Sequence, residues 1–222
     1  MLNKKTALLV GATGLIGSQL LPLLLADSRY QEIRVLTRRS LQIKHAKLRE
    51  VVTDFAKLAE FEGEFYAVDD VFCCLGTTMK QAGSKAAFEK VDKDYPLLIA
   101  DRAKQAGAKQ FLLVSALGAN AKSPFFYNKV KGEVEAALAK KDFAALQIFR
   151  PSLLLGDRRE FRVGEKVATI ASRILAPFFI GFFRRVKPIK GQTVAMAMQL
   201  VAARQQEGIH IYESRDINQM IK

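Results

Sequence analysis

Cysteine and histidine are almost missing from this sequence, and each scarcity removes a class of function. The two cysteines, Cys73 and Cys74, are adjacent in an apolar run. Neighbours that close cannot make a disulfide framework, so the expected setting is reducing and is taken as the cytoplasm. His45 and His210 are the only histidines, and neither has ligand spacing to the cysteine pair, which removes a metal centre. No window holds about 18 uninterrupted apolar residues, so no transmembrane helix is expected. Internal repeats and low-complexity linkers are lacking as well. Lys4-Lys5 before apolar residues imitates an export signal, but glycines interrupt the run where an apolar h-region would continue.

Acidic residues are in deficit. Asp and Glu number 22 against 35 Lys and Arg, a formal net charge of +13 that biases encounter toward phosphate-bearing ligands, nucleic acid or anionic lipid. With 222 residues and 50% hydrophobic content, the chain can bury a full core. It is read as one domain over 1–222, in which residues 150–222 include a small C-terminal substrate lobe.

What is present begins with Thr6-Ala7-Leu8-Leu9-Val10, a buried strand that runs straight into Gly11-Ala12-Thr13-Gly14-Leu15-Ile16-Gly17. A strand entering a glycine-spaced turn and then a leucine-rich helix is what a dinucleotide pyrophosphate needs. Gly11 allows the tight turn, Gly14 lets backbone approach phosphate, and Gly17 lets the helix pack closely, so that the helix N-terminus faces the negative charge. The helix is expected over Leu15 to Ala26, bent or loosened by Pro22.

Further strands are expected at 32–37, 51–52, 70–75, 111–114 and 144–149, with helices over 84–107, C-capped by Gly107, and 124–140. Regular alternation of strand and helix predicts an α/β fold, a doubly wound parallel sheet covered on both faces. Strand ends then carry the ligand. Arg38 and Arg39 close the second strand, where an arginine suits a ribose 2′-phosphate and so points to NADP(H), against the plain alternative of a solvated charge pair. Asp54, beside Phe55, could reach an adenine edge or cap the next short helix. Leu75-Gly76-Thr77 ends the fourth strand, and its glycine permits close approach to the cofactor. The cysteines are read as small buried strand residues.

Ser115 ends the fifth strand, and Tyr127 and Lys131 stand four apart on one face of the following helix. A tyrosine needs a neighbouring cation to exchange a proton near neutrality, and Lys131 sits where that cation must be. Ser115 could hold the substrate oxygen. The plain alternative is ordinary decoration of an exposed helix.

With these residues the sequence resembles the short-chain dehydrogenase/reductases, in their atypical or extended branch. The likeness rests on Gly11-x-x-Gly14-x-x-Gly17, Arg38, Asp54, Leu75-Gly76, Ser115, Tyr127-x-x-x-Lys131 and Arg150-Pro151. Within that branch it is similar to the Tat-interacting-protein-like oxidoreductases, through Cys74-Leu75-Gly76-Thr77-Thr78, Val91-Asp92-x-Asp94-Tyr95, Ser115-Ala116-x-Gly118-Ala119 and Arg150-Pro151-Ser152-Leu153-Leu154-Leu155-Gly156-Asp157-Arg158. The resemblance implies a Rossmann core, NADP(H) in an extended pose, and a Ser115, Tyr127 and Lys131 site. It also implies cofactor contacts from Thr13, Leu15, Ile16, Lys131, Pro151 and Ser152 beside the positions already named. The Asn-Asn-Ala-Gly run of many members is absent, so no fourth catalytic residue carries over. Helices at 91–106 and 124–140 are family-typical dimer surfaces, which makes a homodimer an expectation.

The leading expectation is an NADP(H)-dependent oxidoreductase that reduces a carbonyl or oxidises an alcohol. A non-enzymatic NADP(H)-binding regulator or redox sensor is the alternative. Beyond Pro151 basic residues mix with Phe161, Phe178, Phe179, Phe182 and Phe183. The run Ile174 to Phe183 with Arg184-Arg185 could be a substrate lid, a subunit contact, an interfacial membrane segment, or core packing with a basic rim. A substrate with an anionic group suits the charge. Nucleic acid is set aside because it would need an exposed stacking platform.

Overall fold

The computed structural model describes residues 4–61, 63–155 and 187–222. Its frame is a parallel sheet built from the apolar runs. Strands β1 (Lys5–Val10), β2 (Tyr30–Thr37), β3 (Leu48–Val52), β4 (Asp70–Cys73), β5 (Gln110–Val114) and β6 (Ala145–Arg150) alternate with helices. The last strand of this sheet, β9 (Gly208–Glu213), lies at one edge, in the order β3-β2-β1-β4-β5-β6-β9. Short strands β7 (Leu154–Leu155) and β8 (Ile189–Lys190) pair separately. Strands β4 and β5 are buried at every residue, as expected where helices cover both faces of a parallel sheet.

Two apolar layers sandwich the sheet. On one face, α1 (Gly17–Ala26) supplies Leu20, Leu21, Leu24 and Leu25. The same core takes in Val194, Met198 and Val201 from a later helix, Gly191–Arg204. On the other face, Phe55 and Leu58 join Phe65 and Tyr66 of α2 (Gly63–Tyr66). They meet Ile99 and Ala103 of α5 (Tyr95–Gln105) and Val134 and Leu138 of α6 (Phe126–Leu138). The doubly wound Rossmann architecture expected from the alternating pattern is therefore present.

Three local features differ from expectation. Helix α1 begins at Gly17, two residues later than expected, and runs through Pro22 to Ala26. The single helix expected over 84–107 is composite. A separate short helix, α3 (Met79–Ala82), precedes it, and within it α4 (Lys85–Glu89) leads into a π turn over Lys90–Asp94 before α5. Its ends were legible: the Ser84 hydroxyl accepts from the Ala87 N–H, and Gly107 carries a φ of +96° just past the last turn. The later helix Gly191–Arg204, here α7, and strand β9 had no counterpart in the sequence reading. Helix α8 (Ser214–Met220) closes the chain.

The order of strands fixes where a ligand can sit. Strand β1 has β2 on one side and β4 on the other, so the chain reverses direction of winding there. A crevice opens outside the carboxyl ends of β1 and β4 at such a point.

Candidate cofactor and catalytic site

The turn after β1 is shaped by glycines that cannot be replaced without moving backbone. Gly11 has a φ of +83°, and a Cβ there would lie 2.5 Å from the Cys74 carbonyl oxygen at the end of β4. A Cβ on Gly17 would come within 2.1 Å of the Gly11 carbonyl oxygen. The turn is locked by the Gly14 N–H donating to that same oxygen at 3.0 Å. Thr13 and Gly14 are exposed and Leu15 is half-buried, whereas Ile16 is buried. No side chain caps the N-terminus of α1 and no acid occupies its first turn, so its dipole can face an anion, although the Ser18 and Gln19 amides already donate to the Gly14 and Ile16 carbonyls. This glycine cradle fits a dinucleotide pyrophosphate.

The remaining strand ends surround the same crevice. Arg38 and Arg39 are exposed just past β2, with the Thr37 hydroxyl donating to the Arg39 carbonyl at 2.8 Å. Asp54 caps the short 3₁₀ helix Phe55–Glu60, accepting from the Ala56 N–H at 3.0 Å. Phe55 is buried edge-on against Tyr95. Leu75 is buried, Gly76 is exposed and Thr77 is half-buried at the end of β4. Pro151 is buried and accepts from the Leu117 N–H at 3.0 Å. The Ser152 hydroxyl donates to the Lys187 carbonyl at 2.8 Å.

Lys131 is 5% exposed, and its ammonium lies 2.7 Å from an Asp92 carboxylate oxygen. Burial opposes its charge, but Asp92 and the nearby Tyr127 oxygen outweigh that cost and hold the lysine pKa above its ordinary value. The other Asp92 oxygen accepts from the Thr77 N–H at 2.8 Å. A Cβ at Gly76 would stand 3.8 Å from the Lys131 nitrogen, so the lysine reaches the cofactor side of β4. Tyr127, one helical turn before Lys131, is 38% exposed and rests its ring on Phe88 at 5.6 Å.

Ser115 is placed differently from Tyr127. It lies buried at the end of β5, and its hydroxyl donates to Glu135, two turns along α6 from Tyr127. Glu135 is also gripped by Arg150, whose Nε is 3.1 Å away. The hydroxyl thus points into the protein, toward a buried carboxylate.

Both thiols are held in the protonated form. Burial pushes the Cys73 thiol up to about 12 and the Cys74 thiol upward as well, which fits their reading as packing residues. Among the described residues no cluster could hold a metal ion, and no helix is long and apolar enough to cross a membrane.

Residues missed in the sequence also shape this site. Asp92 appeared there only within a motif; the available signal was an acid between Phe88 and Ile99 on a buried helical face. Glu135 gave no comparable signal. Gly132 lets α6 meet the loop after β5, since a Cβ would fall 2.2 Å from the Ala121 nitrogen. Asn128 ties that loop by donating to the Gly118 carbonyl at 2.8 Å. The segment from Gly156 through Arg185, with its phenylalanines and the suggested lid or membrane surface, lies outside the described residues.

Residues 11–154 match the NAD(P)H-binding family. The chain belongs to that family, as an atypical short-chain dehydrogenase/reductase. Protein HTATIP2 of Rattus norvegicus is 41% identical over 170 residues, 75% of this chain and 70% of the relative. The mitochondrial protein FMP52 of Eremothecium gossypii is 31% identical over 221 residues, covering 97% of each. Among solved structures, MoeE5 in complex with UDP-glucose and NAD matches with a TM-score of 0.68 at 16% identity, over 94% of this chain and 75% of the other. The oxidoreductase ylbE of Lactococcus lactis matches with a TM-score of 0.65 at 16% identity, over 97% and 96%. These structures share the fold of this family member, and the family supplies a nicotinamide cofactor, NAD(P).

One expectation is corrected. FMP52 proteins of Candida albicans and Eremothecium gossypii are named as mitochondrial, which points away from a purely cytoplasmic location for this family member. The physical reason is that two reduced thiols report on redox conditions, and those conditions do not single out one compartment.

Proposed function

We propose that the protein is an NADP(H)-dependent oxidoreductase that interconverts a carbonyl and an alcohol. The observation that carries this reading is the pairing of Tyr127 with Lys131, which is buried and cationic beside the β4 end of a glycine-built dinucleotide crevice. A nicotinamide bound there supplies or accepts hydride. In the reducing direction Tyr127 gives its phenolic proton to the substrate oxygen as charge grows on it; in the oxidising direction it takes the proton back. Lys131 would place its positive charge beside the reacting oxygen and would hold the nicotinamide ribose. Gly11, Gly14 and Gly17 admit the pyrophosphate, and Arg38 is the partner for a 2′-phosphate, in favour of NADP over NAD.

Ser115 can hold the substrate oxygen only by releasing Glu135. That observation favours a second reading, an NADP(H)-binding regulator or redox sensor without turnover. The substrate of the first reading is a small molecule, and the net charge of +13 favours an anionic group on it. We likewise infer that α5 and α6 form a homodimer surface and that the 174–185 segment contacts an anionic membrane.

The deciding experiment follows oxidation of NADPH over a broad carbonyl panel for the wild type and Tyr127→Phe. Turnover that falls at least a hundredfold in the variant, with NADPH affinity kept, supports the oxidoreductase. Full turnover in Tyr127→Phe removes the assignment, and tight binding with no turnover on any carbonyl favours the regulator.

A further inference from the structure

Glu50 is an acid on the edge strand β3, next to the loop that carries Arg38, and the proposed function gives it no task. It stands opposite Val35 in the pairing of β3 with β2, two residues short of the strand end. Both of its oxygens are spent on the loop. Oε1 accepts from the Leu41 N–H at 2.6 Å, and Oε2 accepts from the Ser40 hydroxyl at 3.2 Å.

The loop is also knit from within. The Ser40 oxygen accepts from the Gln42 N–H at 3.2 Å, and the Thr37 hydroxyl donates to the Arg39 carbonyl at 2.8 Å. Gln42 has a φ of +55°, a left-handed backbone that a residue with a side chain rarely adopts, so its surroundings must hold it there. Glu50 supplies that hold from β3. The other acids nearby are committed elsewhere: Glu32 pairs with Arg34 at 2.9 Å, and Asp54 caps the 3₁₀ helix. Among the described residues no hydrogen bond or ion pair engages the Arg38 side chain, so its charge is kept for a ligand.

We propose that Glu50 is a positioning residue that braces residues 38–42 and thereby sets the preference for the phosphorylated nucleotide, a role that rests on the reading of Arg38 as the partner of the ribose 2′-phosphate. Glu50 acts on such a phosphate in two opposed ways. Its charge repels the phosphate, an effect that water and salt weaken at this half-exposed position. Its two hydrogen bonds keep the arginine loop in the shape that receives the phosphate. Apparent affinity falls with the fraction of molecules in the competent shape, so loss of the brace weakens NADPH binding even as the repulsion disappears. NADH has a bare 2′-hydroxyl, makes no use of Arg38, and feels little of either effect.

The test measures NADPH and NADH affinity by fluorescence titration, and exchange of the Leu41 amide by NMR, in the wild type, Glu50→Gln and Glu50→Ala. Glu50→Gln keeps an oxygen for the Leu41 N–H without the charge, and should bind NADPH at least as tightly as the wild type. Glu50→Ala removes brace and charge together. It should bind NADPH about fivefold more weakly, leave NADH affinity unchanged, and lose protection of the Leu41 amide. Should Glu50→Ala fail to fold, Glu50→Val, which suits a strand, carries the same expectation. Unchanged or tighter NADPH binding in Glu50→Ala overturns the proposal, because charge alone would then be at work. An equal loss for both nucleotides, or a loss in Glu50→Gln as large as in Glu50→Ala, overturns it too. A wild type that binds both nucleotides equally removes the Arg38 reading and this proposal with it, whereas a wild-type preference that survives in Glu50→Ala removes this proposal alone.

Discussion

Gly17 stands so close to Gly11 that a Cβ on the former would lie 2.1 Å from the carbonyl oxygen of the latter. This contact seats α1 on the turn after β1 and aims its uncapped N-terminus at the crevice. Gly17→Ala should therefore displace the turn, lower the melting temperature by several degrees and weaken dinucleotide binding at least tenfold. Gly14 differs, because its Cβ would be 3.2 Å from that oxygen. Gly14→Ala should leave the melting temperature near wild type while still weakening binding, and paired calorimetric and binding measurements separate the two cases.

Arg38 is exposed at the end of β2, where the ribose phosphate of NADP would meet it. Arg38→Ala should reduce NADPH affinity about tenfold to a hundredfold, the worth of a charge-assisted hydrogen bond, and leave NADH affinity unchanged. Fluorescence titration with both nucleotides checks this.

Ser115 and Glu135 share a buried hydrogen bond that Arg150 completes. Removing the hydroxyl leaves the carboxylate with one partner fewer, so Ser115→Ala should cost about 1 to 2 kcal/mol of stability. Its effect on turnover should be smaller than that of Tyr127→Phe. Chemical denaturation and steady-state rates measured on the same preparations decide between a structural and an oxygen-holding serine.

Lys131 has a pKa raised in the folded state, despite burial, by Asp92 and Tyr127. For a base, a raised folded pKa stabilises fully below the unfolded value, about 10.4, and the benefit fades as pH climbs through the folded value. The stability difference between wild type and Lys131→Met should thus stay constant from neutral pH to about pH 10 and narrow above it. Thermal melts across that range test the sign.

The parts of this fold that were legible in the sequence are those whose signal is local. Runs such as Phe111-Leu112-Leu113-Val114 are apolar at every position because both sheet faces are covered, and the Gly11 to Gly17 turn advertises its own sterics. Strand β9 was not legible because it is an edge: Ile209 and Ile211 stay exposed while Tyr212 is buried, so no continuous run marks it. At the site, the spacing of Tyr127 and Lys131 put them on one helical face. The partners of Lys131 and Ser115 depend on contacts distant in sequence, Asp92 reached through a π turn and Glu135 through the crossing of α6 over β5. Local pattern carries no trace of either.

Seating of a nicotinamide dinucleotide on the Gly11 to Gly17 turn, with a preference for the phosphorylated form, is tested most directly by isothermal titration calorimetry of the wild type with NADPH and with NADH. Saturable binding of both, tighter for NADPH by at least tenfold, is the predicted result. Equal affinity would contradict the NADP preference, and no binding of either nucleotide would contradict the claim as a whole.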